Sequence, residues 1–181
     1  MAIMKRTICI VGILAIVLNL FGCGFVRIPG MSKKELKVVE EKSEKHLNKI
    51  LSALELGDKE AFENLFIDDV KEQNDFQIGV DYTFKFYYEN ILSFKDTLSY
   101  EIKCYHTGET YGKREEYCER VTILYLLNVG DAQYNLSFLL YLEHGTEKNK
   151  GKMSAFELIS ANDKYNNLYE KSGVFYPGWR D

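Results

Sequence analysis

The chain is poor in residues that interrupt secondary structure and in residues that bind metals. It contains two prolines among 181 residues, Pro29 and Pro177, and both lie outside the segments that we expect to form a core. Its three histidines, His46, His106 and His144, are not spaced with another histidine, cysteine or carboxylate as a metal-ligand set requires. We therefore expect a folded domain with no metal ion, no cofactor and no internal repeat.

An excess of positive charge is also missing. The chain has 23 Lys and Arg against 27 Asp and Glu, for a formal net charge of −4. Nucleic-acid binding needs clustered basic residues, so we expect no nucleic-acid partner. Aromatic residues are abundant instead, at 14% of the chain, which indicates a folded, strand-rich protein and not a disordered one.

The first residues have the pattern of an export signal. Lys5 and Arg6 precede an apolar stretch over residues 8–21. A stretch of about fourteen residues is too short to span a bilayer and suits a signal peptide. Residues 20–23, Leu-Phe-Gly-Cys, resemble the lipobox of bacterial lipoproteins.

The lipobox resemblance implies where the protein is located. Residues 1–22 would be the signal peptide, Cys23 would carry the lipid, and residues 23–31 would form the lipidated N-terminus and a spacer. Two acyl chains on Cys23 suffice to hold a protein on a membrane. We therefore predict a lipid-anchored protein on the extracytoplasmic face of the cell membrane. An uncleaved signal anchor and an ordinary secretory signal are the alternatives.

Helical patterns follow the spacer. Ser32 and Glu35 form a capping box, in which each side chain satisfies a backbone donor of the first turn. Apolar residues then recur at spacings of three and four up to Gly57, with His46 at the boundary of the apolar face. Asp58 can cap a second, short helix. A third helix is predicted after it.

The period changes from helical to two at about residue 93. Four alternating sets of apolar residues follow, separated by glycine-containing turns: Tyr100–His106, Tyr117–Leu127, Tyr134–Leu142 and Ala155–Ile159. Three helices followed by four antiparallel strands predict an α+β fold. We expect residues 32–181 to form one domain in which the helices pack on a curved antiparallel sheet of about four strands.

This layout resembles a family of Gram-positive lipoproteins that is classed only as a domain of unknown function. The resemblance covers residues 33–181 and is carried by the segment Leu54–Phe66, reading LELGDKEAFENLF, and by the closing segment Gly173–Gly178. The layout is also similar to the cystatin-like, nuclear-transport-factor-2-like cone fold. The resemblance implies helices against the concave face of the sheet and a pocket at the open end. It implies no catalytic residue, because the family has no established activity.

Aromatic residues are candidates for lining such a pocket. Core packing is the expected role of the tyrosines and phenylalanines between residues 82 and 88. A ligand pocket lined by Tyr82, Tyr125 and His106 is the alternative.

Two cysteines remain after the signal and the lipidation site, Cys104 and Cys118. They lie on neighbouring predicted strands in an oxidising compartment, where disulfides persist. In a regular hairpin, however, the numbers of the two paired residues always add to the same sum. The apolar faces of these two strands match only when that sum is odd, whereas Cys104 opposite Cys118 gives an even sum. A β-bulge in the segment Gly108–Gly112 would restore the bridge. Two free cysteines are the expected state, and a disulfide is the alternative.

The sequence contains no clear catalytic arrangement. An enzyme in a cone pocket would need a buried acid with a raised pKa and a hydroxyl directed at the substrate. The candidates are the carboxylates of Asp68, Asp69 and Asp75 with the hydroxyls of Tyr82, Tyr125 or Tyr141. Asp75 is more simply a helix cap, and the other two aspartates more simply belong to a solvated loop.

We therefore expect a non-enzymatic module that binds a small apolar ligand or another envelope protein. A small envelope enzyme, a hydrolase or an isomerase, is the alternative. The pattern also allows a homodimer that forms through an exposed face of the sheet. Apolar residues that alternate with the predicted core residues of the strands would form the contact: Leu124, Leu126, Leu139 and Tyr141.

Overall fold

The structure is a computed structural model that describes residues 33–111, 117–144, 150–163 and 173–175. Within these ranges, nothing is described of the side chains of residues 33, 35, 103–111, 117–119, 143, 144 and 175. The predicted signal peptide, Cys23 and Ser32 lie outside the described residues. Within the described ranges, no helix has the length and hydropathy needed to cross a membrane.

The helical part comes first, as predicted. In the described residues it comprises α1 (Lys33–Leu56), α2 (Lys59–Glu63), α3 (Asp68–Lys71) and α4 (Phe76–Asn90), followed by a 3-10 helix over Leu92–Thr97. The predicted solvated loop at Asp68 and Asp69 is instead the first turn of α3, where acidic side chains interact favourably with the helix dipole. Asp68 also forms an ion pair of 2.7 Å with Lys71.

The predicted end of α1 is confirmed by its capping geometry. Gly57 has a φ of 69°, a conformation that glycine adopts without strain. Its N–H donates to the carbonyl of Leu54 at 3.3 Å, and the N–H of Asp58 donates to the carbonyl of Ala53 at 2.9 Å. This pair of bonds is the Schellman motif. The carboxylate of Asp58 then accepts from the N–H of Ala61 at 2.9 Å and caps α2.

The predicted capping of the third helix by Asp75 is not formed. Asp75 precedes α4 with φ −99° and ψ −2°, and its side chain forms no capping hydrogen bond. A capping side chain normally belongs to a residue with extended backbone angles. The near-helical backbone of Asp75 explains why its carboxylate does not reach the first turn of α4.

In the described part of the chain a mixed five-stranded sheet follows the helices, so the α+β prediction is confirmed. The strands, in sheet order, are β1 (Ser99–Tyr111), β2 (Tyr117–Val129), β3 (Ala132–His144), β4 (Met153–Ser160) and β5 (Gly173–Phe175). The first four form the predicted antiparallel meander. The short β5, which the sequence pattern did not predict, pairs parallel to β4.

The register of β1 and β2 bears on the two cysteines. Cys104 lies opposite Leu124, and Cys118 lies opposite Thr110. Six residues of strand span about 20 Å, whereas a disulfide requires Cα atoms within about 7 Å. The register shift lies between Ile102 and Cys104, before the segment in which a bulge would have restored the bridge. The backbone therefore does not bring Cys104 and Cys118 together.

The core lies between the helices and one face of the sheet. Phe62 on α2 is fully buried at its centre. Its ring meets Phe66, Phe84 and Phe156 edge to face, at centroid distances of 5.4, 5.5 and 5.3 Å. Such aromatic pairs contribute beyond their buried area. The apolar face of α1 completes the layer with Leu47, Ile50 and Leu54, all fully buried.

A glycine allows α4 to approach β5. A Cβ atom at Gly79 would lie 2.8 Å from both the Cβ and the carbonyl oxygen of Val174. Since any larger residue would meet backbone at this distance, the close contact of α4 with the last strand depends on this glycine.

The residues predicted for a dimer contact are largely covered within one chain. Leu139 is fully buried and Leu126 is 7% exposed. Leu124 and Tyr141 are half-buried. The exposed apolar area on which the homodimer prediction depends is therefore small at these four positions.

Candidate functional site

A pocket of about 200 Å³ opens between α1 and the far end of β3. We call it the lysine pocket, after the side chains that predominate in it. The residues that line it are Lys42, Lys45, His46, Lys49, Leu140, Tyr141, Leu142, Lys150 and Gly151.

One wall of the lysine pocket is a single stripe of α1. Lys45, His46 and Lys49 follow Lys42 by three, four and seven positions. Residues at this spacing share one face of a helix. The next stripe of the helix carries Leu47 and its apolar neighbours, which pack in the core. The fold therefore holds this row of basic residues at the edge of the helix–sheet interface.

The other wall is formed by β3 and by the turn that leads into β4. The N–H of Gly151 donates to the carbonyl of Tyr141 at 2.8 Å, and the N–H of Tyr141 donates to the carbonyl of Lys152 at 3.0 Å. These two backbone bonds attach the turn to β3. Lys150, the residue before Gly151, also lines the pocket.

The lysine pocket concentrates one sign of charge in a chain of net negative charge. Among the described residues that line it there are four lysines and no carboxylate. Lys42, Lys45 and Lys49 take part in no ion pair with a described residue, whereas lysines elsewhere do, as in the pair of Lys59 with Asp81 at 2.6 Å. Grouped cations raise the local concentration of anions.

His46 is the buried polar group of the pocket wall. Its side chain is 5% exposed, and its Nε2 is buried without a hydrogen-bond partner. The ring lies 5.4 Å from that of Phe138. Burial, helped by the charge of Lys49, lowers the pKa of His46 from 6.5 to about 4. At neutral pH the imidazole is therefore uncharged, with one N–H donor and one acceptor nitrogen.

The structure places Tyr125 in the core and not in the lysine pocket. It is fully buried, and its ring stacks on Phe138 at 6.0 Å. Its hydroxyl donates to Ser43 Oγ at 3.2 Å, and that hydroxyl donates in turn to the carbonyl of Glu40 at 2.9 Å. This chain of hydrogen bonds satisfies the polar end of a core residue.

The other two residues predicted for a pocket are Tyr82 and His106, and neither is among the residues that line the lysine pocket. Tyr82 is half-buried on α4, with its ring 6.2 Å from that of Phe86. Burial raises the pKa of Tyr82, and the charges of Glu89 and Asp163 act in the same direction. The backbone of His106 pairs with Thr122, and its side chain is not among those described.

The carboxylates considered for catalysis are not in the lysine pocket. Asp68 and Asp69 begin α3 and Asp75 precedes α4, and none of these three lines it. Of the predicted catalytic hydroxyls, Tyr141 alone lines the pocket. In the described part of the chain, no three His, Cys, Asp or Glu side chains are grouped as a metal site would be.

The chain also matches a known protein family over most of its described helices and strands. A family model described as a domain of unknown function, DUF5104, matches residues 49–161. The chain belongs to the DUF5104 family. No curated protein and no solved structure matches the chain. The predicted resemblance to a domain of unknown function is thus confirmed at that level.

The DUF5104 match includes only part of the lysine pocket. Lys49, the β3 residues and Lys150 lie within it, whereas Lys42, Lys45 and His46 precede its first residue. In this DUF5104 protein the pocket is therefore completed by the preceding turns of α1.

Sequence reasoning missed the lysine pocket because its residues resemble an ordinary solvated helix face. The available signal was the pattern K-x-x-K-H-x-x-K over residues 42–49, with its single histidine. That pattern does not show that Lys150 and the apolar residues Leu140 and Leu142 face it, since they are distant in the chain.

Proposed function

We propose that this DUF5104 protein is a lipid-anchored, non-enzymatic binding module of the cell envelope that takes an anionic ligand in the lysine pocket. The observation that carries the proposal is the grouping of four lysines around one cavity, with no carboxylate among the described lining residues.

The chemistry of the described wall favours binding over catalysis. General acid–base catalysis needs a titratable group whose pKa lies near the working pH. His46 has a pKa of about 4, lowered by burial, so it is uncharged and a weak base at neutral pH. The lysines offer donors and positive charge, which are the requirements for holding an anion.

The envelope location is supported by the sequence of the first residues. The apolar stretch over residues 8–21 and the Leu-Phe-Gly-Cys run ending at Cys23 have the pattern of a lipoprotein signal. The arrangement of helices on one face of an open sheet supports, at the level of layout, the resemblance to the cystatin-like cone.

The ligand proposed here differs from the small apolar ligand that the sequence predicts. Tyr125, a candidate for an apolar pocket, fills the core instead. The described cavity has apolar residues in its floor, Leu140 and Leu142, but cations around its rim. A wholly apolar ligand would make no use of the donors and the positive charge of these lysines.

A binding experiment on the full chain tests the proposal. We would titrate the protein, in a neutral detergent at constant ionic strength, with acetate, citrate, sulfate and phosphate by calorimetry. We expect at least one of these anions to bind. The double variant Lys45→Gln/Lys49→Gln should weaken binding about tenfold or more, since each hydrogen bond to a charged group contributes about 1.5–3 kcal/mol.

The matched control is Lys95→Gln, which removes an exposed lysine from the 3-10 helix, away from the lysine pocket. It should bind as the unchanged protein does. If no anion binds, or if the double variant binds as well as the control, the pocket is not the ligand site. The anchor is tested separately by Cys23→Ser, which should release the protein from the detergent-requiring membrane fraction.

A further inference from the structure

The face of the sheet that points away from the helices is buried as well. Leu126, Leu139, Ala155 and Ile159 are 7%, 0%, 0% and 3% exposed, yet none of them belongs to the hydrophobic cluster that the helices share with the sheet. Each is next in sequence to a strand residue of that cluster, and neighbouring residues of a strand point to opposite faces. We call this the second face, formed by Leu126, Ser137, Leu139, Ala155, Glu157 and Ile159.

The second face is covered within one chain. A single copy of the protein buries these side chains, while its described helices pack against the other face. We infer that residues 176–181, which follow β5, fold back over the β4 part of the second face, with Arg180 paired with Glu157. This inference is independent of the lysine pocket and goes beyond the proposed function.

Glu157 is the charged group of the second face. Its side chain is fully buried on β4, opposite Ser137 of β3, and Ser137 Oγ donates to Glu157 Oε2 at 3.4 Å. Burying a carboxylate is costly unless it is paired with a cation and hydrogen-bonded. A cover that carries a cation therefore suits this position better than a purely apolar one.

The chain leaves β5 beside Glu157. Phe175, the last residue of β5, is the register partner of Glu157, and neighbouring strands are about 4.8 Å apart. On the helical side, α4 approaches so closely that a Cβ atom at Gly79 would lie 2.8 Å from the carbonyl oxygen of Val174. The space beside Val174 is therefore taken on that side, and the second face is the side on which the chain can continue.

The sequence after β5 has the residues of a turn that reverses the chain. Residues 176–179 read Tyr-Pro-Gly-Trp, with proline and glycine at the two central positions that favour a type II β-turn. In a turn of this length Trp179 returns to the level of Tyr176, and Arg180 returns to the level of Phe175. Since Phe175 lies opposite Glu157, the turn brings the guanidinium within reach of the buried carboxylate.

The composition of the segment also matches the second face. Tyr176 and Trp179 are large amphipathic side chains, which bury about 150–250 Å² each. Trp179 precedes Arg180 and lies over Ile159, while Arg180 supplies one cation for one carboxylate. With this segment in place, the β4 part of the second face is not free to contact a second copy of the chain.

The fluorescence of Trp179 tests the position of the segment, because Trp179 is the one tryptophan of the chain. We would measure acrylamide quenching of the full chain in a neutral detergent, both folded and unfolded in urea. We expect the folded chain to be quenched much less than the unfolded chain, because the ring lies against the sheet. Equal quenching in the two states would overturn the inference.

Two neighbouring residues of β4 identify the face that the segment covers. Ile159→Ala shortens a side chain of the second face and Leu158→Ala one of the helical face, and the two residues are 3% and 2% exposed. We expect Ile159→Ala to raise the quenching of Trp179 in the folded chain and Leu158→Ala to leave it unchanged. Circular dichroism verifies that both variants are folded. The reverse pattern, or equal quenching in the two variants, would overturn the inference.

A double-mutant cycle tests the pair of Arg180 with Glu157. Arg180→Gln leaves a buried carboxylate without its cation, so the unfolding equilibrium constant at a fixed urea concentration should rise about tenfold or more. In the background of Glu157→Gln the same change should have a smaller effect, because an amide needs no cation. The control Lys95→Gln should leave the constant unchanged. An equal effect of Arg180→Gln in the two backgrounds would show that the two side chains do not interact.

Discussion

The two ends of the interface between the helices and the sheet differ in how completely their side chains satisfy one another. Around Phe62, aromatic rings from α2, α4 and β4 meet edge to face at 5.3 to 5.5 Å. Around Lys45, cations line a cavity beside a buried imidazole whose Nε2 has no described partner. The first arrangement follows the rules of core packing, and the second departs from them.

This difference separates stability from function within one helix. Leu47 and Ile50 of α1 are fully buried in the core, while Lys45, His46 and Lys49 of the same turns line the lysine pocket. Proteins that follow local rules throughout most of their sequence depart from them chiefly at functional or strained sites. We therefore expect substitutions at the Phe62 end to change folding, and substitutions of the pocket lysines to change binding.

The largest effect on folding is expected for Phe62→Ala. Removing a buried aromatic ring that touches three others should lower the free energy of unfolding by about 3–5 kcal/mol. Urea denaturation followed by circular dichroism measures it. Ile78→Ala on α4 is the control, since Ile78 is 58% exposed and should change stability by less than about 0.5 kcal/mol. Comparable losses in the two variants would contradict a core centred on Phe62.

A smaller loss is expected for Gly79→Ala. Replacing glycine by alanine within a helix normally stabilises it by about 1 kcal/mol. Here the added Cβ would lie 2.8 Å from the carbonyl oxygen of Val174, so α4 and β5 must separate. We expect a net loss of about 1–3 kcal/mol, the range for overpacking. Urea denaturation measures the change in the free energy of unfolding, with the exposed Gln77→Ala as the control. A gain in stability would show that α4 and β5 do not pack so closely.

At the pocket end, His46→Gln should change the pH dependence of stability. The pKa of His46 is lowered from 6.5 to about 4 in the folded protein. Below pH 6.5 the unfolded chain therefore takes up the proton first, and the free energy of unfolding falls until the pH reaches about 4. From pH 7 to pH 5 this one group should cost about 2 kcal/mol.

His46→Gln should lack that part of the acid sensitivity, measured as the difference between unfolding free energies at pH 7 and pH 5. Lys49→Gln should reduce it by less, because it removes only the smaller cause of the lowered pKa. His106 and His144 remain in each variant and serve as a common background. An unchanged pH dependence in His46→Gln would mean that the imidazole is not held neutral by its surroundings.

The parts of the fold that could be predicted from sequence are those with local causes. The end of α1 at Gly57 and the cap at Asp58 depend on residues within a few positions of each other. The alternation over β2 and β3 reflects one face of each strand packing in the core. By contrast, β5 has only three residues and is too short to show a period. The register shift at Ile102 could not be located, because strand pairing is a property of two segments.

The sequence by itself determined that helices precede an antiparallel meander of four strands, and it determined the apolar face of α1 and the membership of the DUF5104 family. Periodicity, turn chemistry and family patterns are written along the chain. The sequence also placed three lysines and His46 on one stripe of a helix. Only the tertiary structure decided that this stripe faces Leu140, Leu142 and Lys150 across a cavity. The physical reason is that a pocket is made by the approach of distant segments, and the charge and burial of each group depend on what lies opposite.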